Sequence, residues 1–242
     1  MTFLSVNVNK IALLRNSRGG AIPSVLQATH TAITAGAHGI TVHPRPDARH
    51  ITYQDARDLK REIKVELNIE GNPTPDFLDL VCEVRPAQCT LVPDEPGQLT
   101  SDHGYDLRKS GAALVPIVAR LHKHGIRVSL FMDPTPEDMK LAKDTGADRI
   151  ELYTEGYATA FARDDFQIVL GSYVKSAAAA RAAGLGINAG HDLNQKNLGA
   201  FLDAIPDVAE VSIGHALISE AIYDGLTPTV RAYATICTRR RG

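Results

Sequence analysis

A dense group of cationic and titratable side chains follows a short apolar run in residues 39–51, GITVHPRPDARHI. His43, Arg45 and His50 fall within this one segment. An imidazole with a near-neutral pKa can accept and donate protons, and a guanidinium offers a planar fork that matches phosphate oxygens. We therefore interpret the segment as part of a site that binds an anionic ligand and moves protons.

Two further proton-transfer candidates also end apolar runs. Glu70 closes the run VELNIE, and His191 follows the run GINAG. A carboxyl group at such a position is partly desolvated, which raises its pKa toward neutrality and suits acid–base catalysis. The structural alternative for Glu70 is an ion pair with a nearby Lys or Arg. The histidines expected beside it favour the catalytic interpretation, with Glu70, His43 and His191 as the reacting groups.

Two Gly-His turns near the end of the chain are candidates for phosphate binding. They are Gly190-His191 and Gly214-His215, and the second precedes a helical pattern that we take as the last helix. Glycine lets backbone N–H groups approach phosphate oxygens closely, and a helix N-terminus favours anions. A second anion site is predicted near Arg18, Arg45 and His50. Two such sites would serve two phosphorylated substrates or one bisphosphate.

Other residues receive structural interpretations. A metal site is disfavoured because the spacing of these histidines and Glu70 matches no familiar metal motif such as HExxH, and because basic residues surround them. The remaining histidines are interpreted as structural, namely His30, His38, His103, His122 and His124.

The elements that must position these residues alternate between short β-branched runs and helical patterns. The predicted strands are Leu4–Val8, Gly39–His43, Glu66–Glu70, Cys89–Val92, Arg127–Met132, Arg149–Tyr153, Gly186–Ala189 and Val208–Ile213. Eight strands, each followed by a helix, predict a (β/α)₈ TIM barrel formed by a single domain over residues 1–242. The chemical residues then meet at one mouth, because a barrel gathers the C-terminal ends of its strands there.

An open doubly wound sheet is the competing fold. It is disfavoured because the first strand is not followed by a glycine-rich phosphate turn. Two segments exceed a minimal barrel, residues 93–106 and 154–165, and both are predicted to be lids or additional helices. Apolar residues at helical spacing, including Leu114, Val118 and Leu121, predict the core faces of the helices. Glycines before the strands predict helix ends.

The composition of the chain argues against several other classes of protein. The 242 residues carry a net charge of −2, which indicates neither a nucleic acid nor a membrane as a partner. The three cysteines show no zinc or disulfide spacing and favour a reducing cytoplasm. No signal peptide is apparent, and no apolar stretch approaches the roughly 20 residues that span a bilayer.

Taken together, these segments resemble the pyridoxine 5′-phosphate synthase family of deoxyxylulose-dependent vitamin B6 biosynthesis. The resemblance runs in order along nearly the whole chain, through VNVNKIALLRNSRGG, GITVHPRPDARHI, ELNIEG, LVPD, GIRVSLFMD, AGLGINAGHDLN and VSIGHALI.

The resemblance implies a barrel with a few additional helices, assembled as a homo-octamer without a metal or organic cofactor. It also implies condensation of 3-amino-2-oxopropyl phosphate with 1-deoxy-D-xylulose 5-phosphate. The acid–base residues of the family fall on His43, Glu70 and His191. Its substrate-binding positions fall on Asn7, Asn9, Lys10, Arg18, Arg45, His50, Thr100, Asp192, Gly214 and His215.

Three of these positions depart from the family pattern. Asn9-Lys10 stands where the family usually has Asp-His, and this replacement raises the local charge by about 1 to 2 at neutral pH. Asp192 replaces a usual glycine, and its carboxylate would repel a neighbouring phosphate.

Two other functions remain open on the residues alone. The first is a different sugar-phosphate barrel enzyme, an epimerase or an aldolase that uses Lys10 as a Schiff-base lysine. The second is a barrel that binds a phosphorylated ligand without catalysis, for which Glu70 would be dispensable.

Overall fold

The fold was taken from a computed structural model that describes residues 1–94, 97–98, 100–163 and 165–239. Eight strands form a closed barrel in which every neighbouring pair is parallel. They are β1 Phe3–Asn7, β2 Gly39–Val42, β3 Glu66–Gly71, β4 Gln88–Leu91, β5 Arg127–Met132, β6 Arg149–Leu152, β7 Gly186–Gly190 and β8 Val208–Ile213. The predicted (β/α)₈ barrel is confirmed, and the strand ends differ from the prediction by at most one residue.

The helices that cover this barrel include additional ones, as predicted. They are α1 Asn9–Asn16, α2 Val25–Thr34, α3 Tyr53–Glu62, α4 Pro75–Val84, α5 Leu107–Lys123, α6 Met139–Asp144, α7 Glu155–Phe161, α8 Phe166–Ala182, α9 Leu198–Ala204, α10 His215–Asp224 and α11 Leu226–Thr238. The segment 154–165 thus contains the short helix α7. The helix α10 is followed by α11, so the prediction that His215 opens the last helix was wrong.

Local sequence signals explain several of these boundaries. The side chains of Ser24, Thr52 and Thr74 accept hydrogen bonds from the backbone in the first turns of α2, α3 and α4. Glycines with positive φ angles follow α2, α5, α6 and α8, as predicted from the sequence. A 3₁₀ turn, Pro136–Asp138, precedes α6, and the side chain of Thr135 before that turn makes no capping bond.

The two faces of the barrel strands have different chemistry. Residues such as Leu4, Val6 and Ile40 are fully buried in the apolar core, and Leu114, Val118 and Leu121 of α5 belong to the same cluster. Side chains of successive strand residues point to opposite faces, so the alternate positions face the barrel axis.

The inward positions carry mainly polar residues that bond to one another across the barrel. The hydroxyls of Ser5 and Thr41 lie 2.7 Å apart. The hydroxyl of Thr90 donates to Asn68 Oδ1 over 3.1 Å, and Arg149 donates to Asn188 Oδ1 over 3.1 Å. This polar interior continues to the end of the barrel where the strands terminate.

No helix within the described residues is long and apolar enough to cross a membrane. The three cysteines are buried and free of disulfides, and Cys237 on α11 is fully buried in the core.

Candidate active site

A cavity of about 400 Å³ opens at the C-terminal ends of the strands. It is lined by Asn7, Asn9, Lys10, Leu13, His43, Arg45, Arg49, His50, Glu70, Val92, Thr100, Ser101, Phe131, Glu151, His191, Asp192, Ser212, Gly214 and His215. All the predicted site residues except Arg18 belong to this lining. Side chains from the ends of most strands therefore share one space, as expected for the mouth of a barrel.

Glu70 lies at the base of this cavity near the end of β3. Its Oε1 accepts long hydrogen bonds from Asn68 Nδ2 and Ser212 Oγ, both at 3.4 Å. Burial raises the pKa of Glu70 to about 7, against an opposing effect of His191, whose positive charge lowers it. The group is therefore close to half ionised at neutral pH and suits both acceptance and release of protons.

His43 is buried immediately after β2, and its backbone N–H donates to Asn9 Oδ1 over 2.9 Å. Burial, together with the charges of Arg45, His50 and His191, lowers the pKa of His43 well below its ordinary value. Burial and the charges of Arg45 and Lys10 likewise lower the pKa of His50 to about 4. Both imidazoles are therefore neutral at physiological pH.

His191 follows β7 with a φ angle of 48°, a left-handed backbone that is uncommon for a residue with a side chain. Its Nδ1 lies 2.7 Å from Asp192 Oδ2, and its Nε2 lies 3.0 Å from Thr100 Oγ1. Burial alone would lower the pKa of His191, but the hydrogen bond and charge of Asp192, aided by Glu70 and Asp94, raise it. His191 is therefore the most readily protonated of these three imidazoles.

Cationic groups gather on the side of the cavity formed after β1 and β2. The cationic side chains of Lys10, Arg45 and Arg49 line it, together with the neutral imidazole of His50. The Arg45 guanidinium is buried, forms an ion pair with Asp94 and donates to the carbonyl of Gln98 over 3.0 Å. Because Asp94 holds Arg45 in place, this side presents an ordered guanidinium to an anionic ligand.

A second anion-binding feature lies where β8 leads into α10. Gly214 precedes His215, the first residue of α10. A Cβ atom at Gly214 would lie 3.0 Å from both Cβ and Cγ of Asn7, so the backbone here passes tightly against the end of β1. The first N–H groups of a helix have no partner within the helix itself. The start of α10 at the cavity therefore favours an anion such as phosphate.

Arg18 is placed differently from the expectation, whereas Asn9 lines the cavity and also makes a structural hydrogen bond. Arg18 lies exposed in the turn after α1 and is absent from the described lining, so within this chain the predicted contact with the other anion-binding residues is not formed. Asn9 uses its side-chain oxygen to accept the backbone N–H of His43. The amide that replaces the usual acid therefore holds the end of β2.

Sequence reasoning missed several inward-facing residues, of which Glu151 on β6 and Ser212 on β8 are the main ones. Glu151 is 3% exposed, its Oε2 has no hydrogen-bond partner among the described residues, and burial beside Glu70 and Glu210 raises its pKa well above the ordinary value. The alternation of Arg149, Glu151 and Tyr153 with Ile150 and Leu152 was the available signal, because it marks one polar face of the strand.

The side chains that could bind a metal ion are His, Cys, Asp and Glu. Within the part of the chain that the structure describes, no group of three or more His, Cys, Asp or Glu side chains has an arrangement that could hold a metal ion.

Comparisons with known proteins agree with the geometry. The chain is 56% identical over 245 residues to a pyridoxine 5′-phosphate synthase of Xanthomonas campestris pv. campestris strain B100, covering 97% of this chain and 96% of that protein. It is 53% identical to the corresponding synthase of Christiangramia forsetii, covering 96% of this chain and 98% of that protein.

Solved structures with low sequence identity show the same fold. Monomers of the dimeric phosphoribosylanthranilate isomerase from Thermotoga maritima match with a TM-score of 0.59 at 16% identity, covering 98% of each chain. The tryptophan synthase α subunit of Legionella pneumophila matches with a TM-score of 0.65 at 14% identity, covering 98% of this chain and 92% of that one.

The family model described as pyridoxal phosphate biosynthesis protein PdxJ matches residues 4–239. Together with relatives that share more than half of their residues along almost the whole length, this match shows that the chain belongs to the PdxJ family.

Proposed function

We propose that this protein is a pyridoxine 5′-phosphate synthase. It condenses 3-amino-2-oxopropyl phosphate with 1-deoxy-D-xylulose 5-phosphate and releases pyridoxine 5′-phosphate, inorganic phosphate and water. The observation that carries the proposal is the shared cavity of Glu70, His43 and His191, beside cationic groups and the N-terminus of α10. The names of the relatives support the same reaction.

The protonation states support distinct roles for the three acid–base residues. An amine must attack a ketone, so protons must leave the nitrogen and an oxygen must depart as water. Glu70, with a pKa of about 7, accepts a proton in one step and returns it in another. The neutral His43 assists as a base. The protonated His191 donates its proton to the departing phosphate as the carbon–oxygen bond breaks and the oxygen keeps the electron pair.

The two phosphate groups have matching candidate subsites. One phosphate lies against Gly214, His215 and the N-terminus of α10, where backbone N–H groups and the helix dipole favour it. The other lies against Lys10, Arg45, Arg49 and His50. This assignment leaves the carbon atoms of both substrates facing Glu70 between the subsites. The proposed steps join the two substrates and close the ring with loss of water and phosphate, and each step is assisted by proton transfer.

Incubation of the pure protein with both phosphates tests the reaction. We expect a pyridine product detectable by its absorbance and by mass, with one phosphate released for each product. No product at any pH between about 6 and 9, where these groups titrate, would reject the synthase. Borohydride treatment with a keto substrate tests the aldolase alternative, which requires a covalent adduct on Lys10.

We also propose that the protein works as a homo-oligomer in the cytoplasm. The neighbouring helices α1 and α10 carry large apolar side chains that are strongly exposed, with Leu14 at 60%, Ile222 at 74% and Tyr223 at 89%. Exposed apolar groups of this kind are typical of protein–protein interfaces. None of the three cysteines forms a disulfide, which supports a reducing compartment.

A further inference from the structure

We propose that Asp192 is a positioning residue for His191, and that the pair acts as a carboxylate–imidazole dyad in which Asp192 sets the orientation and the protonation of the ring. This inference rests on the proposed function, in which His191 is the acid. It replaces the prediction from the sequence that Asp192 contacts the substrate.

The first support is the hydrogen bond between the two side chains. Asp192 Oδ2 lies 2.7 Å from His191 Nδ1. An ionised carboxylate only accepts hydrogen bonds, so Nδ1 must carry the proton that joins the two groups. The opposite nitrogen, Nε2, then lies beside Thr100 Oγ1 at 3.0 Å, on the lining of the cavity. The nitrogen that would deliver a proton to a substrate is thereby selected.

The second support is that the backbone and ring of the dyad are held from several sides. The backbone N–H of Asp192 donates to Thr154 Oγ1 over 3.4 Å, and Asn197 Nδ2 donates to the Asp192 carbonyl over 3.4 Å. The ring of Tyr153 meets the imidazole edge-on, with centroids 5.8 Å apart. Since His191 has a left-handed backbone, its side chain leaves β7 in a direction that a regular strand would not provide.

The third support is the balance of charge around His191. The titratable groups that act on it from other elements are Glu70 of β3, Asp94 after β4 and His43 after β2. His43 is neutral at physiological pH, and Glu70 is only partly ionised there. Of these carboxylates, Asp192 is the one that bonds directly to the ring, so it provides the main compensation for burying an imidazolium.

These contacts also explain how the protein tolerates Asp192 near a bound phosphate, which the carboxylate would otherwise repel. The Asp192 carboxylate is engaged by His191, so its charge acts mainly on the ring. A charge-assisted bond of this length is among the stronger hydrogen bonds in proteins. The pair is therefore close to neutral overall when His191 is protonated. It does not repel a phosphate in that state, and it can donate a proton to it.

The direct test follows the His191 ring by NMR in protein labelled at histidine nitrogen and carbon atoms. His191→Gln identifies the resonance. In the wild type we expect a pKa above that of an ordinary histidine and a proton on Nδ1 in the neutral form. In Asp192→Asn we expect that pKa to fall by about one unit or more, the size of effect that a nearby opposite charge produces. Asp192→Glu should restore part of the lost pKa elevation.

Activity provides the second readout, measured as kcat/KM against pH. If His191 acts as an acid, activity falls as pH rises through its pKa. Asp192→Asn should therefore move this alkaline limb to lower pH. Well above both pKa values, activity should be about tenfold lower if the pKa of His191 falls by one. Asp192→Asn added to His191→Gln should cause no further loss, because the two residues act together.

The outcomes separate this inference from the synthase assignment. An unchanged His191 titration in a folded Asp192→Asn protein, or additive losses in the double variant, would overturn the dyad while leaving the synthase intact. If Asp192→Asn lowers the KM for either phosphorylated substrate and leaves the pH profile unshifted, Asp192 acts on the substrate. That result would also overturn the dyad. A wild-type protein that makes no product would reject the function, whereas the NMR titration would still decide the dyad.

Discussion

Single residues in this cavity owe their protonation states to the balance between burial and neighbouring charge. Burial raises the pKa of Glu70 to about 7 and lowers that of His43, whereas a bonded carboxylate reverses the effect of burial at His191. Near neutral pH, Glu70 can therefore both accept and release a proton, His43 is a neutral base, and His191 is the imidazole that most favours its protonated form. When the environments of neighbouring titratable groups move their pKa values apart in this way, the groups can be assigned as acid and base.

Glu70→Gln should abolish most of the activity while keeping the fold. The amide keeps the shape of the carboxyl group but transfers no proton, and such a transfer typically contributes about 10² to 10⁴ in rate. Steady-state kinetics should show this loss in kcat with a small change in KM. Glu62→Gln, on the exposed surface of α3, is the matched control and should retain full activity. Near-normal kcat in Glu70→Gln would contradict the proton-shuttle role.

The same variant should be more stable than the wild type above neutral pH. Burial raises the pKa of Glu70 from 4.5 to about 7, so the folded protein resists ionisation of this group. The wild type therefore loses stability as pH rises across that interval, and the Gln variant does not. The difference in unfolding free energy should approach about 3 kcal/mol, since one pKa unit corresponds to about 1.4 kcal/mol.

Melting temperatures of the two proteins from pH 4 to 9 provide the measurement. The advantage of Glu70→Gln should be small below pH 4.5, grow up to about pH 7 and then level off. An advantage that is constant across the whole range would indicate a packing effect without a titrating Glu70.

At the scale of elements, the ends of strands and the segments after them bring the site together. The segment before α5 contributes Thr100 and Ser101 to the cavity and then passes directly over the end of β5. There the backbone N–H of Gly104 donates to Asp133 Oδ1 over 3.1 Å. Close packing of backbone on backbone at this point anchors the C-terminal end of the segment that carries Thr100.

Gly104→Ala should displace this segment. A Cβ atom at residue 104 would lie 2.2 Å from the Asp133 nitrogen and 2.5 Å from the Met132 carbonyl carbon, and neither can move away easily. We expect a lower melting temperature and a reduced kcat/KM, because Thr100 loses its place beside His191. Gly171→Ala on α8 is the control, since its Cβ meets nothing within 4 Å and alanine favours a helix by about 1 kcal/mol.

Equal melting temperatures and equal kinetics for Gly104→Ala and the wild type would show that the segment is not anchored at this glycine.

At the scale of the whole molecule, large apolar side chains on the neighbouring helices α1 and α10 are strongly exposed and are candidates for an interface. Burial of about 25 cal/mol per Å² of apolar surface would favour covering them with another copy of the chain. The side chains on α1 and α10 lie on neighbouring helices, which supports one continuous contact region.

Tyr223→Asp should weaken self-association. The tyrosine side chain is 89% exposed at the end of α10, so the fold of a single chain does not depend on it, but a charge there would be costly inside an interface. Light scattering after gel filtration should show a lower mass than for the wild type. Ile168→Asp on α8, at a side chain that is 86% exposed, is the control and should leave the mass unchanged. A monomeric wild type would contradict the proposed homo-oligomer.

The sequence by itself determined the barrel and most of the cavity. Strand and helix signals are local, and parallel strands in a barrel bring their C-terminal ends to one mouth, so His43, Glu70, His191 and Gly214 could be placed together without coordinates. The glycine signals at helix ends are equally local, because they follow from backbone sterics alone.

Only the tertiary structure decided which side chains meet across the barrel and how their charges balance. The approach of Glu151 to Glu70 depends on the closure of the barrel, and the partner of Arg45 comes from a loop 49 positions away in sequence. The place of Arg18 outside the cavity follows from the course of the turn after α1. The pairing of Asp192 with His191 depends on a backbone conformation that residue type does not predict. Contacts of this kind require distances between distant segments, and these exist only once the barrel has closed.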